Sequence, residues 1–79
     1  MKVIDKIYLE NQEEGSDKFY RLTLTEAPSG YIVDAQWGRR GTNGQEGTKY
    51  AGPDLDAARK VYDKVVAEKR AKGYKAVVD

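Results

Sequence analysis

One stretch of helical spacing dominates the second half of this sequence and limits how the chain can fold. Gly52-Pro53 interrupts any strand that precedes it, and Asp54 offers a carboxylate that can cap a helix N-terminus. Basic residues at 69–72 followed by Gly73 are typical of a helix C-terminus. The pattern predicts one helix over about 55–72, with a buried stripe of apolar side chains at helical spacing: Leu55, Ala58, Tyr62, Val65 and Val66.

The first half has the patterns of short strands separated by turns. Residues 2–10 are rich in β-branched and aromatic types, which favours a strand. Residues 19–26 alternate, so that one face carries Tyr20, Leu22 and Leu24. Two more extended segments are predicted at 31–37 and 45–51.

Turn signals join these segments into hairpins. Residues 27–30 read A-P-S-G, and Asn43-Gly44 predicts a two-residue hairpin turn because both residue types tolerate positive φ. Residues 74–78 are expected to form a short extended tail. The sequence therefore predicts an α+β fold, an antiparallel β-sheet of about four strands with one C-terminal amphipathic helix packed on one face.

Length and composition fit one small domain over residues 1–79. A chain of 79 residues buries only roughly 60% of its unfolded surface, so its core is thin. Cysteine is absent, no apolar run reaches the length of a membrane span, and the charged N-terminus does not resemble a signal peptide. A cytoplasmic protein with no membrane contact is the default expectation.

Charge is unevenly distributed although the net charge is only +1. Residues 1–17 carry five acidic and two basic side chains, whereas residues 59–75 carry seven basic and two acidic ones. A half-basic domain can meet an anion such as nucleic acid. The more conservative interpretation of the basic stretch is a solvated helix face.

The residue types that most enzymes need are missing or badly placed. Histidine is absent as well as cysteine, which removes the commonest general base and the commonest ligands of transition metals. Asp34, Glu46 and Lys49 resemble the acidic-plus-lysine arrangement of some nucleases, but strand positions 46 and 49 point to opposite faces. The glycine-rich stretch 38–47 lacks a phosphate-loop pattern and leads into no helix. No catalysis, metal or cofactor is expected.

The most distinctive residues lie where the third strand ends. Trp37 is the only tryptophan, and it is followed by Gly38, Arg39 and Arg40. Arginine binds phosphate through a planar fork of donors, and an indole offers a flat face to a base or ribose. Glycine allows another backbone or a ligand to approach closely. Together these residue types are suited to hold a nucleic-acid strand.

The same block resembles a known family. Residues 37–45 read W-G-R-R-G-T-N-G-Q, Phe19-Tyr20 precedes them, and an amphipathic helix follows and ends near K-G-Y at 72–74. This arrangement is similar to the WGR domain, over nearly the whole chain from about Val3 to Val77. The extended block is more specific than the tripeptide alone.

The resemblance implies a sheet with one helix and a binding role rather than catalysis. WGR domains occur in DNA-damage-responsive poly(ADP-ribose) polymerases, where the motif tryptophan stacks at a terminal nucleotide of broken DNA and the motif arginine couples the domain to its neighbours. Similar domains occur in bacterial proteins. By position Trp37 would stack, and Arg39 would contact phosphate or a neighbouring domain. Arg40 departs from the apolar residue common at that place and adds positive charge.

Each candidate contact has a structural alternative. Period-2 alternation places Trp37 on the face of Val33 and Ala35, so the indole is either core or exposed at the sheet edge, or it is turned outward by a bulge at Gly38. Arg39 and Arg40 either contact a ligand or are solvated turn residues, with Glu46 as a potential partner across the hairpin. Successive positions point opposite ways, so one of the two arginines is expected to face a given ligand.

The sequence thus predicts a non-catalytic module that binds DNA by shape, charge and stacking. The expected contacts are Trp37, Gly38, Arg39, Arg40 and Lys49, although Lys49 can also be an ordinary solvated lysine. The alternative is a protein-interaction module that uses the same residues on a partner. The sequence pattern assigns no oligomeric state.

Overall fold

Five antiparallel strands form one sheet, and a single helix packs across one of its faces. The computed structural model describes residues 1–77. The sheet has the order β4-β3-β2-β1-β5, and helix α1 packs against β2, β3 and β4. The elements are β1 (Lys2–Asn11), a 3-10 turn (Glu13–Gly15), β2 (Lys18–Ala27), β3 (Gly30–Arg39), β4 (Gln45–Gly52), α1 (Leu55–Ala71) and β5 (Lys75–Ala76).

The α+β class is confirmed, but the sheet has five strands where about four were expected. The additional strand β5 pairs Ala76 with Leu9 and Lys75 with Glu10, and the Val77 N–H donates to the Tyr8 carbonyl at 3.0 Å. Two residues are too few for alternation to show in a sequence, so only an extended tail could be predicted. Val78, the last residue of that predicted tail, lies outside the described residues.

The core lies between the helix and one face of the sheet. The alternation predicted for β2 is confirmed, because Tyr20, Leu22 and Leu24 are all buried. Ala58 and Tyr62 are the buried residues of α1, with Val65 and Val66 half-buried beside them. The first helical residue, Leu55, is 39% exposed, so the buried stripe begins one turn later than expected.

Both ends of the helix follow the predicted capping chemistry. The Asp54 carboxylate accepts hydrogen bonds from the backbone N–H groups of Asp56 and Ala57. At the other end Gly73 adopts φ +99°, its N–H donates to the Arg70 carbonyl, and the Tyr74 N–H donates to the Lys69 carbonyl. This pair of bonds is a Schellman motif, and it turns the chain back so that Tyr74 meets Tyr20 edge-on.

The hairpin between β3 and β4 is longer than expected. Its reversal spans residues 40–44, whereas Asn43-Gly44 predicted a turn of two residues. The Arg39 carbonyl accepts both the backbone N–H and the hydroxyl of Thr42, at 3.2 and 2.7 Å, which closes a first turn before the chain reaches Asn43. Gly44 then approaches the Trp37 carbonyl so closely that a side chain would not fit.

Replacing Gly73 by alanine should test the helix C-cap. Its φ of +99° lies in the left-handed region, where a side chain costs about 1–2 kcal/mol, so Gly73→Ala should lower the free energy of unfolding by that amount. Gly73→Asn should cost less, because asparagine tolerates this region. Urea unfolding measures both, and a Gly73→Ala variant as stable as the original chain would contradict the cap.

Tyr62 should make the fold sensitive to alkaline pH. Its burial, and then the nearby Asp5 carboxylate, raises the pKa of Tyr62 to about 12. The raised pKa means that the folded state favours the neutral phenol. The contribution of Tyr62 to the free energy of unfolding is therefore intact below pH ~10, the pKa of tyrosine in the unfolded chain, and is lost as the pH rises toward 12. Between pH 10 and 12, the free energy of unfolding should fall less in Tyr62→Phe than in the original chain. Tyr31→Phe, at a half-buried position, is the control, and its free energy of unfolding should fall as much as that of the original chain.

Candidate nucleic-acid interface

Trp37 lies at the end of the sheet, on the same side as the helix, and is half-buried. It pairs with Tyr20 on β2 and Gln45 on β4, and its ring stacks on that of Tyr20 with centroids 6.0 Å apart and an angle of 18°. Pairing of Phe19 with Gly38 continues without interruption, so no bulge between β2 and β3 turns the indole outward. The indole therefore combines core packing with partial exposure at the sheet end.

A missing side chain on the neighbouring strand makes room for this ring. A Cβ on Gly47 would lie 3.1 Å from the Cη2 atom of Trp37, which is tighter than ordinary contact. The indole edge thus lies directly against the backbone of β4. Gly47 fixes how deep the ring sits.

Lys49 reaches the indole because β4 contains a bulge. Val33 pairs with Tyr50 and Asp34 pairs with Thr48, which leaves Lys49 as an extra residue between them. The Lys49 ammonium lies over the Trp37 ring, 5.0 Å from its centroid, a cation–π contact. The predicted association of Lys49 with the motif is thus a direct contact with the motif tryptophan.

Arg39 is exposed and lines a groove with Trp37. The groove has a volume of about 370 Å³, with residues 37–39 on one wall, residues 15–18 on the other, and Tyr74 beside them. Arg39 pairs with Lys18 across β2 and β3, so two cations lie at the groove. Asp17 also lines the groove, but its carboxylate pairs with Arg40, so the two cations and the aromatic wall suit an anionic ligand that has a flat group.

Gly38 shapes the hairpin itself. A Cβ at this position would lie 2.7 Å from the Gly44 Cα, so the close approach that the sequence suggested is made by the opposite arm of the hairpin. No side chain larger than hydrogen fits there without moving backbone.

Arg40 points away from the groove and is engaged elsewhere. Its Nε lies 3.2 Å from a Glu10 carboxylate oxygen, its terminal nitrogen lies 3.1 Å from an Asp17 oxygen, and its backbone N–H donates to the Asp17 carbonyl. The partner is thus not Glu46, as the turn alternative suggested. The structure brings Trp37, Arg39 and Lys49 together and leaves Arg40 on the other side.

The acidic residues of the nuclease alternative do not converge with the lysine. Asp34 and Glu46 line a groove on the sheet face opposite the helix, whereas Lys49 lies over Trp37 on the helix side. The Asp34 carboxylate accepts a hydrogen bond from the Thr48 hydroxyl at 2.9 Å. Among the side chains that the structure describes, no three or more carboxylates come together as a group that could hold a metal ion. No helix within residues 1–77 is long and apolar enough to cross a bilayer.

Three further residues at this end were not selected from the sequence. Lys18 and Tyr74 line the groove, and the Lys69 ammonium lies 4.6 Å from the Tyr20 ring centroid and 5.8 Å from that of Tyr74. The excess of positive charge in 59–75 was the available signal for Lys69. Interpreting that basic stretch as a solvated helix face gave no way to distinguish Lys69 from the lysines on the outer side of the helix.

The fold and the site together define a small binding module whose sheet end presents an aromatic ring among cations. A model of the WGR domain family matches residues 5–79, and the chain belongs to that family. WGR domains are nucleic-acid-binding modules and are not catalytic by themselves. Comparison with curated proteins and with solved structures returned no match.

Gly47→Ala should displace the indole without straining the backbone. The added methyl group would meet the Trp37 ring at 3.1 Å, so the ring must shift by a few tenths of an ångström or lose its stack on Tyr20. Since Trp37 is the only tryptophan, its fluorescence emission reports the change directly. Thr48→Ala changes the opposite face of the same strand and should leave the emission unaltered. Identical emission from both variants and the original chain would contradict the contact.

Proposed function

We propose that this WGR domain binds DNA at the hairpin end of its sheet, through Trp37, Arg39 and Lys49. One observation carries the proposal. A half-buried indole, an exposed arginine and a lysine lie together on one side of the sheet, and neither cation forms an ion pair with a carboxylate whose side chain the structure describes. Cations without carboxylate partners remain available for phosphates.

The indole supplies a surface on which a base or sugar can stack. Tyr20 supports the ring from within the core, so the indole is held in place before any ligand arrives. The Lys49 ammonium lies over the indole, 5.0 Å from the ring centroid. The long flexible side chain of Lys49 allows the ammonium to move aside when a base stacks. Lys49 then remains next to the strand as a phosphate contact.

The chemistry of these contacts favours recognition by shape and charge. Arg39 and Lys49 meet phosphates, which are the same at every position of a strand, and stacking accepts every base. Arg40 is assigned a supporting role instead, because its guanidinium already pairs with Glu10 and Asp17. A DNA end or break, where a terminal nucleotide is free to stack, is the form of DNA that this arrangement fits best.

Binding of labelled duplex, nicked and single-stranded DNA tests the proposal. Trp37→Ala should weaken binding by about 1–3 kcal/mol, the usual loss when an aromatic base-stacking residue is removed. The plot of log K against log salt has a negative slope. Arg39→Gln should make that slope shallower by about 0.9 on duplex DNA, the value for one phosphate contact. Fluorescence anisotropy at several salt concentrations measures both.

Two comparisons make the test specific. Arg40→Gln should lower affinity less than Arg39→Gln, since Arg40 lies outside the groove, and Lys60→Gln on the exposed side of α1 should change the slope least. Thermal melting of each variant checks that it is folded. If none of the three DNA forms binds at low salt, the DNA proposal fails and the same residues are left for a protein partner.

A further inference from the structure

Two lysines from different elements lie over the aromatic rings of the site, and a third lies close to one of them. Lys69 and Lys72 lie at the C-terminal end of α1, and Lys49 comes from the bulge in β4. We call these three residues the helix-end cluster. Lys69 is half-buried over the rings of Tyr20 and Tyr74. Lys49 lies over Trp37, whose ring stacks on Tyr20.

The positive charge of the cluster is not neutralised by ion pairs among the side chains that the structure describes. Those ion pairs involve Arg40 and Arg59, and although the Glu68 carboxylate lies near Lys69, none joins a carboxylate to a lysine of the cluster. Burial, followed by the charges of Lys72 and Lys49, lowers the pKa of Lys69. Lys72 and Lys49 are therefore each close enough to repel the Lys69 ammonium.

The helix macrodipole explains only part of this arrangement. It favours cations in the last turn of a helix, which accounts for Lys69. Lys49 gains nothing from the dipole of a helix to which it does not belong, and the bulge nevertheless directs it toward Trp37, whose ring stacks on Tyr20. A bound anion would relieve the repulsion that Lys49 and Lys72 exert on Lys69.

We propose that the helix-end cluster is a second phosphate-binding subsite, which holds the nucleic-acid backbone next to the nucleotide that stacks on Trp37. This inference rests on the proposed function and extends its contact surface from the hairpin to the end of α1. The contacts are contiguous: 5.0 Å from Lys49 to the Trp37 centroid, 6.0 Å from Trp37 to Tyr20, and 4.6 Å from Tyr20 to Lys69. A strand stacked on Trp37 would thus meet the cations of the cluster as well as Arg39.

The subsite can be tested without DNA. Inorganic triphosphate is titrated at low salt into the full chain, and the lysine Cε–Hε signals are followed by NMR. Signals of Lys49, Lys69 and Lys72 should shift saturably, and the pKa of Lys69 should rise as the anion neutralises its neighbours. Lys60 and Lys64, exposed on the same helix, are the internal controls. Equal responses from all five lysines, or none, would overturn the subsite whatever DNA does.

A matched pair of double variants then links the subsite to DNA. Lys69→Gln with Lys72→Gln should make the salt slope on duplex DNA shallower by about 0.9–1.8, for one or two lost phosphate contacts. Lys60→Gln with Lys64→Gln removes the same charge from the same helix and should change the slope less. Melting curves verify that the loss of the Lys69 contacts with Tyr20 and Tyr74 has not unfolded the domain.

The outcomes separate the two proposals. Suppose that Arg39→Gln makes the salt slope shallower, but the Lys69/Lys72 double variant behaves like the Lys60/Lys64 control. The hairpin site then stands and the subsite is wrong. If triphosphate binds the cluster but none of the three DNA forms binds, the subsite binds an anion that DNA does not supply. An acidic protein partner would then be the remaining ligand.

Discussion

The ring of Tyr20 connects the core of this domain to its surface site. It is 2% exposed, and it contacts Trp37 face to face, Tyr74 edge-on and the Lys69 ammonium. Its hydroxyl finds no hydrogen-bond partner within the described chain, so the packing uses the faces of the ring rather than its polar atom. Strand β2, the hairpin and the end of α1 all meet at this one side chain, and the position of the indole depends on it.

The two faces of the sheet differ because a single helix can cover only one. On the covered face, α1 buries the apolar side chains, and the sheet end leaves Trp37, Arg39 and Lys49 at the margin of that contact. On the other face, Phe19 is buried although no helix lies over it, since Tyr8 stacks on its ring and the Arg21 guanidinium lies over both. Charged side chains therefore shield apolar rings there, as expected for a thin sheet without a second layer.

Local chemistry made much of the fold predictable. Asp54 and Gly73 cap the helix as their residue types indicate, and alternation in β2 placed Tyr20 correctly. The two-residue strand β5 and the extra residue at Lys49 leave no periodic trace, so neither could be found from spacing. The partners of Arg40 and the rings around Lys69 come from distant parts of the chain. Only the folded sheet shows that Arg40 pairs with Glu10 and Asp17, whereas the Lys69 ammonium lies over aromatic rings.

The bulge at Lys49 has a consequence for the solubility of the domain as well. Strand β4 is the outer strand of the sheet and would otherwise present a regular row of donors and acceptors to another molecule. An extra residue disrupts that row and twists the strand, which discourages edge-to-edge association and fibril growth. The irregularity that directs a lysine to the indole thus also makes the β4 edge a poorer template for pairing with another copy of this domain.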